Sequence, residues 1–172
     1  HKSGTDRVAE VARRYAEYEI VLNVQGDEPA IAAETIATVV KALREGSCQI
    51  ATPVAPAQVQ DVSNPNVVKV VVSLAGDALY FSRAAIPFHR DGSPSMRPGY
   101  LRHIGLYGFR REALLKVTQL PPSPLEVAES LEQLRWLSAG WAIRCVEVST
   151  FSPSVDTPED LRALELTWNE AS

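Results

Sequence analysis

The stretch Glu19 to Val24 (Glu-Ile-Val-Leu-Asn-Val) constrains the fold more than any other, because it is nearly continuous in apolar character and stops at Gln25-Gly26-Asp27-Glu28-Pro29. A strand of that kind has both faces covered, as in a parallel sheet sandwiched by helices. In such sheets ligands bind beyond the carboxyl ends of the strands, so Asp27 is placed to face a ligand crevice. Gly26 permits a close approach of backbone, and Pro29 stiffens the exit. Taken alone, Asp27 reads first as a residue closing an ordinary turn.

The flanking segments extend the same pattern. Thr5 or Asp6 is expected to cap a first helix, whose apolar positions Val8, Val11, Ala12 and Tyr15 recur at helical spacing. A second helix fits Glu34 to Arg44, with Ile36, Val39, Val40 and Leu43 on one face and Gly46 at its end. Ile50 to Val54 follows as a strand. Strand, helix, strand in this order predicts an α/β fold, with a mixed, mainly parallel sheet flanked by helices.

The middle of the chain changes character. Val67 to Ser73 and Leu79 to Ser82 flank Ala75-Gly76-Asp77 and predict an antiparallel hairpin. A loop rich in Gly, Pro and Ser runs from Asp91 to Gly99, and His103 to Phe109 resumes as a strand. Helices are expected near Arg111 to Thr118 and from about Leu125 to Ser138, with a last strand at Ala142 to Val148. Thr157, Pro158 and Asp160 announce a closing helix. With 172 residues and 45% apolar content, the chain reads as one domain spanning 1–172.

Composition narrows the function. A net charge of −4 argues against a nucleic-acid footprint, although local Arg groups or a metal can still receive an anion. No apolar run approaches the roughly 20 residues of a membrane span. Cys48 and Cys145 have no partner at metal-ligand spacing and read as buried hydrophobes, so a cytoplasmic setting is expected.

Several polar groups then stand out. Asp156, in Ser154-Val155-Asp156-Thr157-Pro158, follows the last strand as Asp27 follows the first. Two such carboxylates suit Mg2+ shared with phosphate oxygens and water, while the plain reading of Asp156 is an extra cap at a helix dipole. His103 and Tyr107 share a strand face by their even spacing, and Arg90 with Asp91 reads as a turn. Glu132 and Gln133 read by themselves as a solvent face.

Read together, these segments resemble the 3-deoxy-manno-octulosonate cytidylyltransferases. The matching stretches are His1 with Ser3 to Arg7, Asn23 to Pro29, Tyr80 to Pro87 with Arg90-Asp91, Leu101 to Phe109, Pro122 to Arg135 and Val155 to Leu161. The resemblance implies a nucleotide-sugar-transferase fold. It also implies transfer of CMP from CTP to 3-deoxy-D-manno-octulosonate (KDO), with release of pyrophosphate, for lipopolysaccharide synthesis. It further implies Mg2+ and a homodimer. By that pattern Asp27 and Asp156 are the catalytic metal ligands. Gln25, Arg90, His103, Tyr107, Glu132 and Gln133 line the acid-sugar pocket, and Ser3, Gly4 and Arg7 approach the nucleotide.

The family opens with a strand and a basic phosphate loop that have no counterpart here, where the chain starts at His1. The expectation is an incomplete catalytic domain, with an unpaired sheet edge and weak CTP binding. Two other readings compete with this one. The acid sugar is a different one, such as an amino analogue of KDO or a sialic acid, or the chain is a non-catalytic dimerisation module.

Overall fold

A computed structural model of the chain describes residues 1, 3–26, 28–90, 99–149, 155, 161–162 and 164–166. Thirteen named elements follow one another along the described residues. They are α1 (Gly4–Arg14), β1 (Ile20–Val24), α2 (Ala33–Glu45), β2 (Ile50–Pro56), α3 (Val59–Val62), β3 (Lys69–Val72) and β4 (Ala78–Ser82). There follow β5 (Leu101–His103), β6 (Leu106–Arg110), α4 (Arg111–Val117), α5 (Pro124–Glu129), α6 (Gln133–Ser138) and β7 (Arg144–Glu147).

The strands form one seven-stranded sheet in the order β1-β6-β2-β5-β3-β4, with β7 paired to β2 off this path. The expected α/β layering is present, but the expected mainly parallel pairing is corrected. Among the described residues only β2 and β7 pair in parallel, and the other pairings are antiparallel. The reason lies in β6, which inserts between β1 and β2 and runs against both. The apolar run of β1 therefore signals helical cover on both faces, which parallel and mixed sheets share.

Alternation along the strands distributes side chains between two cores. On one face Leu106 and Ala51 meet Val39 and Leu43 of α2. On the other, Phe109, Ile50 and Tyr107 meet Ala9 and Ala12 of α1, Leu114 of α4 and Trp136 of α6. Gly108 lies where α2 rests directly on the strand: a Cβ there would come within 2.6 Å of Val39 Cγ1 and 2.7 Å of Leu43 Cδ1.

Four further expectations are revised. The cap of α1 is Ser3, whose Oγ accepts from the Asp6 amide at 3.2 Å, in place of Thr5 or Asp6. Its buried face is Thr5, Ala9 and Ala12, while Val11 and Tyr15 are exposed beside the outer strand β1. The helix expected from Leu125 to Ser138 is broken into α5 and α6 at Ser130, which adopts φ 52°, in the left-handed region. The Glu129 carboxylate accepts there from Ser82 Oγ at 2.6 Å and the Arg83 amide at 2.9 Å, which ties the end of α5 to β4. The strand expected over His103 to Phe109 is interrupted between His103 and Leu106. The register with β2 shifts there, from Val54 opposite His103 to Ala51 opposite Gly108.

The hairpin of β3 and β4 forms as expected, with Lys69 opposite Ser82 and Gly76 at φ 86° in its turn. Cys145 is buried, whereas Cys48 is half-buried, with its thiol donating to Ala42 O at 3.2 Å. No helix among the described residues is long and apolar enough to cross a membrane. The segment of the expected closing-helix cap, Thr157 to Asp160, lies outside the described residues, while residues 161, 162 and 164–166 are helical.

Candidate active site

A polar cleft of about 390 Å³ opens where β5, β6, α6 and the end of β1 converge, lined among others by Thr5, Gln25, His103, Tyr107, Glu132 and Gln133. Its entrance is built by the turn after β1. The Gln25 amide donates to Gly105 O at 3.1 Å, the Glu28 amide donates to Gln25 O at 3.1 Å, and the Gly105 amide donates to Glu28 Oε1 at 3.2 Å. The two flanks of Asp27 are thus stitched to the break between β5 and β6. A Cβ at Gly105 would meet Gln25 Oε1 at 2.8 Å and Glu28 Cγ at 3.1 Å, so the glycine leaves room for both side chains.

The break between α5 and α6 gives Glu132 its role in the cleft. Instead of continuing a solvent-facing helix, Glu132 stands at the cap position before α6 and receives two hydroxyls: Ser3 Oγ donates to Oε1 at 2.8 Å and Thr5 Oγ1 donates to Oε2 at 2.7 Å. The cap of α1 and the cap of α6 are therefore joined through one carboxylate. Gln133 beside it is buried.

His103 and Tyr107 face the cleft together, with ring centroids 5.1 Å apart, and Phe81 meets His103 edge-on at 5.4 Å. Burial, with the Arg102 guanidinium adding to it, pushes the His103 imidazole down to about 3, so the ring is neutral near pH 7. The Tyr107 phenol is held well above its ordinary range, first by burial and then by Cys145 and Glu132. Its hydroxyl and the Trp136 Nε1–H are sealed from solvent with no hydrogen-bond partner among the described residues. Tyr107 and Trp136 stack edge-to-face at 5.0 Å. Buried donors without partners at the base of a cleft mark places where a ligand or a water completes the network.

Arg102 lines the same cleft and forms a buried ion pair with Asp61 at 3.1 Å. Asp61 Oδ2 also accepts from the Gln58 amide at 2.9 Å, so this pair clamps α3 to β5. Sequence reasoning missed Thr5, Arg102, Trp136 and α3. Thr5 and Arg102 lie inside the matching stretches Ser3 to Arg7 and Leu101 to Phe109 but carry no spacing signal, and Trp136 lies outside any such stretch.

Of the expected site residues, the cleft gathers Gln25, His103, Tyr107, Glu132 and Gln133, with Ser3 bonded to its rim. Arg90 is exposed and is not part of this lining. Gly4 is exposed in the first turn of α1, and Arg7 lies on an apolar groove with Val11, Tyr15 and Tyr18. Asp27, Asp91 and Asp156 lie outside the described residues. Among the described residues no cluster of His, Cys, Asp and Glu is grouped to hold a metal.

The helix-flanked mixed sheet with this cleft is, by comparison with known proteins, a nucleotidyltransferase fold. The chain belongs to the cytidylyltransferase family, whose pattern matches residues 1–147. Within that family it is 46% identical over 164 residues to a 3-deoxy-manno-octulosonate cytidylyltransferase of Myxococcus xanthus, covering 95% of this chain and 65% of that protein. It is 50% identical over 164 residues to the enzyme of the same description from Nitratidesulfovibrio vulgaris, covering 94% of this chain and 65% of the relative. A solved structure of CMP:2-keto-3-deoxy-manno-octonic acid synthetase complexed with CTP matches at a TM-score of 0.91 and 40% identity, over 100% of this chain and 70% of the other. The chain thus spans about two thirds of the length of these relatives.

Proposed function

We propose that this chain belongs to an enzyme that transfers CMP from CTP to KDO, giving CMP-KDO and pyrophosphate, and that its cleft receives the acid sugar. One observation supports this above the others. Ser3 and Thr5, at the start of α1, hold Glu132 within the same cleft as His103, Tyr107 and Gln133. A nucleotide-side segment and sugar-side groups therefore meet around one carboxylate.

In the proposed reaction the anomeric hydroxyl oxygen of KDO attacks the α-phosphorus of CTP. The new P–O bond forms as the bond to the β-phosphate oxygen breaks, pyrophosphate departs with that electron pair, and the hydroxyl proton passes to solvent. Such a displacement asks the protein mainly for alignment and charge compensation. His103 and Tyr107 are neutral hydrogen-bonding groups suited to sugar hydroxyls, and Gln25 and Gln133 present amides that suit the same polyol. Arg90 is proposed to meet the sugar carboxylate as a bidentate donor. Ser3, Gly4 and Arg7 are proposed to border the nucleotide.

Mg2+ is the proposed cofactor. Asp27 and Asp156 are the hard oxygen donors it favours, while the neighbouring Glu28 is buried and engaged with the Gly105 amide. When bound, the ion would neutralise phosphate charge. A homodimer is proposed through the hairpin of β3 and β4, whose Leu74 and Leu79 are exposed. A cytoplasmic role in lipopolysaccharide synthesis completes the reading.

The test is pyrophosphate release from CTP across a panel of acid sugars, with Mg2+ and with a chelator, in the chain and in a full-length relative. KDO is expected to be the preferred acceptor in the relative, and release should stop on chelation. Preference for a sialic acid would remove KDO from the proposal, and turnover surviving chelation would remove the metal.

A further inference from the structure

One hydroxyl behind the cleft decides how its histidine is used. Thr52 of β2 is fully buried, and its Oγ1 stands 2.7 Å from Leu106 O and 2.8 Å from His103 Nε2. Two oxygens at 2.7 Å in a buried site repel unless a proton lies between them, and the carbonyl has none to give. The threonine proton therefore goes to Leu106 O. A hydroxyl has one proton, so toward His103 it can only accept. His103 Nε2 must then carry the hydrogen, which leaves Nδ1 as the ring's unprotonated nitrogen.

We propose that Thr52 is a positioning residue, which fixes His103 as the Nε2–H tautomer and so turns its Nδ1 toward the cleft's ligand as a hydrogen-bond acceptor for a hydroxyl of the acid sugar. This deepens, and in its second half rests on, the acid-sugar reading of the cleft. The interruption between β5 and β6 makes the arrangement possible. The Leu106 amide turns back to Ile104 O at 2.6 Å, and Leu106 O comes within reach of Thr52 on the neighbouring strand. The ring packs against Phe81 at a near-perpendicular angle and against Tyr107 at a tilt, which limits its rotation. Nδ1 makes no hydrogen bond to a described residue, and His103 lines the cleft. An acceptor is the useful polarity here, because the nearby Tyr107 hydroxyl and Trp136 indole already supply donors.

The tautomer is read directly by nitrogen-15 NMR of the 172-residue chain, since protonated and unprotonated imidazole nitrogens resonate far apart. The expected spectrum has His103 Nδ1 unprotonated and Nε2 protonated. Thr52→Val should release this preference, and Thr52→Ser, which keeps the hydroxyl, should restore it. Titration with KDO should then move Nδ1 most, with affinity about tenfold weaker in Thr52→Val than in Thr52→Ser.

A protonated Nδ1 in the wild-type chain overturns the proposal, as does a Thr52→Val variant that folds and keeps the tautomer. KDO binding that leaves Nδ1 unmoved overturns the acceptor role alone. Failure of KDO to bind at all, by calorimetry on the chain and on a full-length relative, sinks the acid-sugar reading, and the tautomer stands or falls on the ligand-free spectrum.

Discussion

Acidification should expose His103 as a latent weakness of the fold. Its folded-state value lies at about 3, against 6.5 for an ordinary histidine, with burial the main cause and Arg102 second. Below pH 6.5 the unfolded chain binds a proton at this residue that the folded chain refuses, so stability falls as pH falls through this window. Each unit of separation is worth about 1.4 kcal/mol, and descent to about pH 4 therefore costs up to about 3 kcal/mol. His103→Gln removes the titration and still offers an N–H to Thr52. Urea unfolding of both proteins, from pH 7 to about pH 4, isolates the effect as a difference. Glu126, held below its ordinary range by its Arg135 hydrogen bond, also loses stability on acidification, but equally in both proteins. The stability gap between wild type and variant should shift by up to about 3 kcal/mol in favour of the variant. Parallel curves across that range would refute the buried, neutral histidine.

Three further outcomes test the supports of the cleft. Gly108→Ala would press a Cβ to 2.6 Å from Val39 Cγ1, so a loss of about 1–3 kcal/mol from overpacking is expected in the urea midpoint. Arg102→Met leaves the Asp61 carboxylate buried without its cation, and about 3–5 kcal/mol should be lost in the same assay. Glu132→Ala removes the acceptor of the Ser3 and Thr5 hydroxyls, of which Thr5 is buried. A loss of about 1–3 kcal/mol is expected by thermal unfolding, with faster amide exchange at the start of α1.

Periodicity made much of the fold legible, and it failed where long-range contacts rewrite local preference. The face of α2 and the hairpin of β3 and β4 were readable because their apolar spacing matches what they bury. Strand direction was not, because the neighbour of β1 is β6, over eighty positions away in the sequence, and nothing local to β1 reports it. The break at Ser130 was equally hidden, since Leu125 to Ser138 carries no Gly or Pro. It is the distant Ser82 and Arg83 that tie down Glu129 there. In the site, the even spacing of His103 and Tyr107 survived the interruption between β5 and β6, because the two extra residues preserve the face. Glu132 looked like surface by spacing and drew its assignment from family resemblance, and the geometry explains why resemblance was needed. Its partners lie 127 and 129 positions away.

The central claim is that the cleft over Tyr107 and Trp136 receives the acid sugar. Its most direct test is the indole N–H resonance of Trp136 during titration with KDO. That N–H is sealed and without a partner among the described residues, while Trp141 lines a separate pocket and serves as an internal control. A saturable shift of Trp136 with Trp141 unmoved is the expected result. Binding that leaves Trp136 unchanged, or moves both indoles alike, would contradict the account.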